Sequence, residues 1–223
     1  MHVEKVATMA QSIGKLNTFF PSFFFLVITD NIVSWDRMPF LTNTSKKGPS
    51  FTPLPTHTTR NLILANYGAS EGFDNDDGSS WYFTYNNLFY YADGFKMDYG
   101  GHDSKFFNNF VYAKGKHCFG TGSFLPGHAD AFYNNTCMVI DSHGTQETNI
   151  GTLFQCSTEG MNPTNNMYYT PNGKAVWNCK PKPTPLTLKE MQQMGFEEGS
   201  SVETIPEVDV IISLALKILN GHP

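Results

Sequence analysis

The segments Tyr85-Asn86-Asn87-Leu88-Phe89-Tyr90 and Phe107-Asn108-Asn109-Phe110-Val111-Tyr112 decide the fold, because each places an Asn pair directly before a short β-prone run. Residues 59–64, 133–138 and 164–169 have a similar form. At intervals of 26, 22, 26 and 31 residues, the second Asn position of these segments recurs at 61, 87, 109, 135 and 166. A period of this length, with several short strands in each repeat, predicts a solenoid of stacked coils.

An Asn that recurs at the same bend of successive coils has a direct physical use. Strands of neighbouring coils pair in parallel, which brings equivalent residues to about 4.8 Å from one another. An Asn amide can donate and accept hydrogen bonds at the same time, so stacked Asn side chains can form a ladder. Asn also tolerates the left-handed backbone that a sharp corner requires. We therefore expect an Asn ladder within one bend of the solenoid.

A second register keeps step with the first. The runs Gly72-Phe73-Asp74-Asn75-Asp76 and Gly94-Phe95-Lys96-Met97-Asp98 share the form Gly-Phe-x-x-Asp and lie 22 residues apart, which is also the spacing of Asn87 and Asn109. The pairs Gly101-His102 and Gly127-His128 also hold the same place in their repeats, since each His stands seven residues before the second Asn. Equivalent residues of these markers should therefore stack on one another.

The composition favours the same fold class and excludes others. Charged residues make up 16% of the chain and aromatic residues 14%, and Phe, Tyr, Asn and Gly are abundant. This balance favours short strands joined by turns over a helical bundle. The net charge of −5 argues against a nucleic-acid partner. Residues 19–28, the longest apolar stretch, are too few for a membrane span of about 20 residues, and are either the apolar part of a secretory signal or a buried strand.

The cysteines and two glycosylation patterns favour an extracellular or secretory-pathway setting. The four cysteines stand at 118, 137, 156 and 179 without a C-x-x-C pair, which argues against a cysteine zinc site. Their even number allows two disulfides in any of three pairings. Asn43-Thr44-Ser45 and Asn134-Asn135-Thr136 fit the glycosylation acceptor pattern. We therefore expect a secreted, disulfide-bonded protein.

The repeat divides the chain into three parts. Residues 58–180 carry the coils, and residues 1–57 form either an irregular cap or a segment with incomplete first coils. Residues 181–223 start with a proline-spaced connector, followed by a capping-box pattern at 187–190. A second helix is predicted from an apolar stripe at Val208, Ile211, Ile212, Ala215, Leu216 and Leu219. We expect these helices to cap the last coil, and a partner protein docked on the second helix is the alternative.

The Asn rhythm and the Gly-Phe-x-x-Asp coils resemble right-handed parallel β-helix proteins of the pectin-lyase-like class. The resemblance covers about residues 58–180 and implies an all-β, right-handed parallel β-helix, here with C-terminal capping helices. It also implies a polysaccharide partner, since many members act on acidic or neutral polysaccharides as lyases, hydrolases or epimerases. Other members of the class are non-catalytic.

Stacking converts the sequence offsets into a predicted surface patch. Lys96 should lie over Asp74, and Asp98 over Asp76. Ser80, His102 and His128 should share one coil position, close to further acidic and aromatic side chains. The candidate catalytic residues are Asp76, Asp77, Lys96, Asp98, His102 and His128. The candidate substrate-binding residues are Asp74, Trp81, Tyr99, Asp103 and Asp130, with Tyr82 beside them.

A lyase or C5-epimerase must neutralise a uronate carboxylate and then remove the proton from C5. Lys96 could do the first task, and so could a calcium ion held by Asp74, Asp76 and Asp98. His102 or His128 could act as the base. Residues 72–77 are similar to the Gly-Phe-Asp-Pro-His-Asp signature of mannuronan C5-epimerases, but this chain has Asn75 and Asp76 in place of Pro and His.

Two other functions compete with this hypothesis. Asp76-Asp77 resembles the paired Asp of polygalacturonases, which would make the protein a glycoside hydrolase. Gly127-His128-Ala129 only approximates the Gly-His-Gly of that family, and no Arg-Ile-Lys occurs. The third hypothesis is a non-catalytic β-helix, in which residues 74–79 are a polar turn. Asp103 directly follows His102, but adjacent residues of an extended chain face opposite sides, so adjacency alone predicts no hydrogen bond between them.

Overall fold

A computed structural model describes residues 26–29, 55–64, 72–75, 77–97, 99–114, 117–122, 124–141, 147–153, 156–182 and 184–219. These residues form an all-β parallel solenoid, which confirms the fold class expected from the repeat. Successive turns contribute strands to three sheets, here named A, B and C.

Four turns each give one strand to sheets B, A and C in that order. They comprise β2 (Thr56–Thr59), β3 (Asn61–Leu64) and β4 (Phe73–Asn75); β5 (Tyr82–Tyr85), β6 (Leu88–Tyr90) and β7 (Phe95–Met97); β8 (Lys105–Phe107), β9 (Phe110–Ala113) and β10 (Phe119–Thr121); and β11 (Ala131–Tyr133), β12 (Thr136–Val139) and β13 (Thr148–Leu153). Two further strands, β14 (Met167–Thr170) and β15 (Ala175–Cys179), extend sheets A and C. The strands from neighbouring turns pair in parallel.

The strand register follows the spacing of the sequence markers. Phe73 is the Cα partner of Phe95 and Asp74 that of Lys96, so the described parts of the two Gly-Phe-x-x-Asp runs stack as expected. Gly94 is required there by a close approach, since a Cβ at this position would clash with the Cys118 carbonyl oxygen. Inside the turns, the stacked rings of Phe106 and Phe132 have centroids 5.4 Å apart. Each fully buried Phe contributes about 1.5–3 kcal/mol through removal of apolar surface from water.

The Asn ladder forms at the bend between sheets B and A. The backbone N–H and the side-chain Nδ2 of Asn87 both donate to Asn109 Oδ1, each at 3.0 Å. The same pair of bonds joins Asn61 to Asn87, Asn109 to Asn135 and Asn135 to Asn166. The residue before each ladder Asn has a left-handed φ of 52–58°, at Arg60, Asn86, Asn108, Asn134 and Asn165. The first position therefore turns the chain, and the second holds the turns together.

The ladder ends in a buried carboxylate that the sequence did not indicate. Asn166 donates its backbone N–H to Ser200 Oγ at 2.9 Å, and Ser200 Oγ donates to Glu197 Oε2 at 2.6 Å. The other oxygen of Glu197 accepts from Tyr168 Oη at 2.8 Å and from Trp177 Nε1 at 3.0 Å. Burial raises the pKa of Glu197 to about 6, although these hydrogen bonds lower it.

Two disulfides settle the cysteine pairing. Cys118 is bonded to Cys137, and Cys156 is bonded to Cys179. The first of these bonds is fully buried and joins the start of β10 to β12 across the interior of the solenoid. Such bonds persist in oxidising compartments, so they are compatible with an extracellular protein.

The C-terminal segment covers one end of the core and adds strands to sheets A and C. Strand β16 (Leu186–Thr187) pairs with β15, and α1 (Leu188–Gln193) begins with the expected capping box of Thr187 and Glu190. Met191 of α1 is fully buried in the main core, which covers that end of the solenoid. Strand β17 (Ser201–Thr204) then adds to sheet A beside β14.

Helix α2 (Val208–Leu219) lies along the outer face of sheet A rather than over the last coil, where the sequence placed it. That face presents an apolar side chain from each of several turns, including Leu88, Phe110 and Met138, and Ile218 of the helix packs among them. The helix therefore matches a stripe that runs across the turns. Of its predicted stripe, Val208 and Ile212 are exposed.

At the other end, β1 (Leu26–Thr29) pairs antiparallel with β3 at the edge of sheet A. The rest of the apolar stretch at 19–28 and the glycosylation pattern at Asn43 lie outside the described residues. The second acceptor, Asn134, is exposed at its corner. Among the described residues, no helix combines the length and the hydrophobicity that a membrane crossing requires.

Candidate functional site

The corner between sheets C and B gathers the predicted histidines. Ser80 forms a parallel bridge with His102, and the ring centroids of His102 and His128 are 4.3 Å apart. These three residues therefore share one coil position, as their spacing predicts. We name the group formed by His102, Asp103 and His128 the His–Asp–His cluster.

Asp103 joins the two histidines through a single oxygen. Its Oδ2 lies 2.8 Å from His102 Nδ1 and 2.6 Å from His128 Nδ1. The expectation that His102 and Asp103 face opposite sides was wrong, because Asp103 has a left-handed φ of 55° and the chain is not extended there. The turn thus places neighbouring side chains on the same surface.

The shared carboxylate determines which nitrogen of each ring carries a proton. Partial burial raises the pKa of Asp103, but hydrogen bonds and charge from His102 and His128 bring it below its ordinary value. An ionised carboxylate only accepts hydrogen bonds, so both Nδ1 atoms must be donors. In a neutral imidazole this leaves the lone pair on Nε2. The side chain of His128 is 39% exposed and that of His102 is 19% exposed, so His128 is the more accessible.

Asp130 lies behind the cluster and is only 5% exposed. Its Oδ1 accepts the backbone N–H of Ser104 at 2.9 Å, and Ser104 Oγ accepts that of Tyr82 at 3.2 Å. Its Oδ2 is buried and has no hydrogen-bond partner among the described residues. Burial raises the pKa of Asp130 to about 7; nearby Asp103 adds to the rise, whereas the Ser104 N–H and His128 oppose it.

Lys96 lies over Asp74, as the register predicts. Its Nζ is 3.2 Å from Asp74 Oδ1 and 3.3 Å from Oδ2. The same Nζ lies 5.8 Å from the centroid of the Tyr99 ring, and Tyr99 is 66% exposed. This arrangement places a cation and an open aromatic ring on the chain segment that leads into His102.

The remaining predicted site residues have less specific surroundings. Trp81 has a left-handed φ of 64° and donates its backbone N–H to the His102 carbonyl oxygen at 3.4 Å. Asp77 is an exposed turn residue with a φ of 52°. Asp76 and Asp98 lie outside the described residues, so their stacking and the calcium set that they would form with Asp74 remain predictions.

One group of side chains in the described part of the chain has the composition and spacing of a metal site. The ligand atoms of His102, Asp103 and His128 all lie within 4.8 Å of one another. The sequence indicated both histidines but missed the shared role of Asp103 and the burial of Asp130. A usable signal was present, since Ser104 and Asp130 each stand two residues after a predicted His and so belong to the same coil position.

A comparison of this chain with protein-family models, curated proteins and solved structures found no match.

Proposed function

We propose that this protein is secreted and acts on a uronate-containing polysaccharide as a lyase or C5-epimerase, as do members of the pectin-lyase-like class that it resembles. The observation that carries the proposal is the single oxygen of Asp103 that accepts from both His102 and His128. The two disulfides are in keeping with an extracellular substrate.

The shared carboxylate prepares a general base. Because Asp103 orients both Nδ1–H groups, each Nε2 has a lone pair, and His128 has the more exposed ring. His128 Nε2 takes the C5 proton of the uronate. In a lyase, the electrons of that C–H bond form a double bond between C4 and C5, the C4–O bond breaks, and the leaving oxygen takes up a proton. In an epimerase, C5 is instead reprotonated on its opposite face, and the second ring, His102, would have to be an imidazolium that donates its Nε2 proton to C5.

Lys96 supplies the charge that makes the C5 proton removable. A positive charge beside the uronate carboxylate stabilises the carbanion that forms when the proton leaves. Tyr99, three residues after Lys96, offers an exposed ring on which a sugar can stack. Both groups lie on the segment that leads into the cluster, so one glycan chain could contact all of them.

Glycan binding without turnover is a second candidate, and the Lys96–Asp74 ion pair favours it. The Lys96 ammonium lies 3.2 Å from a carboxylate oxygen, which offsets part of the charge that a uronate would need. A surface that combines this pair with the exposed Tyr99 ring would still hold a sugar chain.

The test incubates the full chain with a panel of uronate and neutral oligosaccharides, with and without calcium. A product that absorbs in the ultraviolet identifies a lyase, and altered C5 stereochemistry without cleavage identifies an epimerase. Loss of that turnover in His128→Ala but not in the control His57→Gln supports the base. His57 lies on β2 beside Phe83 and Tyr85 and is not a member of the cluster.

Other products would reject the proposal. New reducing ends without ultraviolet absorbance would identify a hydrolase. Retention on a uronate column with no product would identify a glycan-binding protein without catalytic activity. Full turnover in both His128→Ala and His102→Ala would remove the cluster from the chemistry.

A further inference from the structure

We propose that the His–Asp–His cluster is a binding site for a divalent transition-metal ion of the zinc type, ligated by His102, Asp103 and His128. This inference goes beyond the proposed turnover and does not depend on it, because metal binding is measured without any glycan. It also differs from the calcium set predicted around Asp74, which uses other residues.

The donor atoms match zinc better than calcium. Two imidazoles and one carboxylate form a common set of three protein ligands for zinc and leave a further coordination position open. Calcium instead takes six to eight oxygen ligands. All three ligand atoms lie within 4.8 Å of one another at a corner that solvent can reach.

The two protons now shared with Asp103 occupy the place that an ion would take. Ligands of a tetrahedral zinc ion at about 2.0–2.1 Å from the metal lie about 3.3 Å apart. The Nδ1-to-Oδ2 distances are 2.8 and 2.6 Å. Each ring nitrogen therefore has to move roughly half an ångström away from the Asp103 oxygen to admit the ion. Parallel β-pairing holds the backbone on both sides, at the Ser80 to His102 bridge and along β8 and β11. The side chains alone therefore have to move.

A second feature of the corner also favours a bound cation. Asp130 is only 5% exposed, and its Oδ2 has no hydrogen-bond partner in the described part of the chain. Its other oxygen accepts the backbone N–H of Ser104, the residue that follows Asp103 in the chain. An unpaired carboxylate oxygen in a buried position is costly unless the group takes up a proton or has a compensating charge. An ion in the cluster supplies that charge at short range.

Metal binding and base catalysis exclude each other at these nitrogens. A metal on Nδ1 moves the ring proton to Nε2, because a neutral imidazole carries only one N–H. The Nε2 lone pair that would take up the C5 proton is then lost. Zinc should therefore inhibit the proposed turnover.

The test is isothermal titration calorimetry of the chelator-treated full chain with zinc chloride and, separately, calcium chloride at neutral pH. We expect one zinc ion per chain. His102→Ala and His128→Ala should each weaken binding about tenfold or more. Asp130→Asn should also weaken it, because this change removes a negative charge that acts on Asp103 and His128. The control His57→Gln should bind zinc like the parent protein.

Each other outcome overturns the inference. The inference is wrong if zinc gives no binding heat, or if it does not bind at one ion per chain. It is also wrong if both His variants bind zinc as tightly as the parent protein. Circular dichroism establishes that each variant is folded, and Asp103→Asn replaces any His variant that is not. Cobalt absorbance in the visible range provides a second measurement, since His and carboxylate ligation should give a spectrum that His128→Ala lacks. Absence of turnover on every glycan would reject the proposed function and leave these binding results intact.

Discussion

His128 Nδ1 lies 2.6 Å from Asp103 Oδ2, although 25 residues separate them in the chain. His102, the sequence neighbour of Asp103, approaches the same oxygen to 2.8 Å. One turn of the solenoid thus makes a distant residue as close a partner as an adjacent one. The candidate site depends on this relationship, because the single Asp103 oxygen fixes the tautomer of both imidazole rings.

Replacement of the shared carboxylate should damage catalysis while leaving the fold intact. In Asp103→Asn the neutral amide no longer accepts from two imidazoles through an ionised oxygen, so the Nδ1–H tautomer loses its fixed partner. We expect turnover of the uronate glycan to fall by about 10²-fold or more, the usual contribution of a positioned base. Steady-state kinetics measures this, with Asp209→Asn on the exposed face of α2 as the charge-matched control. An equal loss in both variants would contradict the role of Asp103.

Removal of Lys96 should affect acidic substrates only. We expect Lys96→Ala to lose turnover of uronate glycans, and Asp76→Ala to lose it too, because both are candidate catalytic residues. The free energy of unfolding should change by less than about 1 kcal/mol, because Lys96 and Asp74 form a surface ion pair. Kinetics and circular dichroism test this, with the exposed Lys174→Ala as the control. Unchanged turnover in Lys96→Ala would remove this residue from the site.

The Asn ladder should account for much of the stability of the central turns. Asn109→Ala leaves the backbone N–H of Asn87 without its acceptor, whereas Asn87 Nδ2 keeps the carbonyl oxygens of Thr58 and Tyr85. It also removes the hydrogen bonds that Asn109 Nδ2 itself donates. A buried unsatisfied group costs about 1–3 kcal/mol and each further lost hydrogen bond about 0.5–1.5 kcal/mol, so the free energy of unfolding should fall by about 2–5 kcal/mol. Urea denaturation measures it. Asn108→Gly, at the left-handed corner position with φ 52°, should cost far less, and similar losses in the two variants would contradict the division between corner and ladder.

Glu197 should make stability decrease as the pH rises. Burial raises its pKa from the ordinary 4.5 to about 6, so the protonated form is favoured in the folded state. This contribution is complete below the unfolded pKa and is lost as the pH increases through the folded pKa, a change of about 2 kcal/mol. In Glu197→Gln this part of the pH dependence should disappear. Urea denaturation at pH values below and above about 6 measures the free energy of unfolding of both proteins, with the exposed Glu203→Gln as the control. If the parent protein and Glu197→Gln have the same pH dependence of that free energy, Glu197 is not its source.

The sequence predicted the parts of the molecule that repeat. The second Asn of each pair and the Gly-Phe-x-x-Asp runs fixed the register, and through it the stacking of Lys96 on Asp74 and of His102 with His128. Such features are predictable because vertical stacking depends only on the number of residues in a turn.

Features that depend on local geometry were not predictable. The left-handed φ of Asp103 reversed the expected direction of its side chain. Helix α2 follows an apolar stripe on the outside of sheet A, and that stripe exists only once Leu88 and Phe110 are stacked. Glu197 follows no repeat marker, and its burial arises from Tyr168 and Trp177, which belong to other strands.

The central claim is that Asp103 accepts a hydrogen bond from both His102 and His128. NMR tests it most directly, through long-range ¹H–¹⁵N correlation of the imidazoles in the parent protein and in Asp103→Asn. We predict the Nδ1–H tautomer for the neutral rings of both His102 and His128, and a shift of both rings in Asp103→Asn. A change confined to His102, the sequence neighbour, or an Nε2–H tautomer for His128 in the parent, would contradict it.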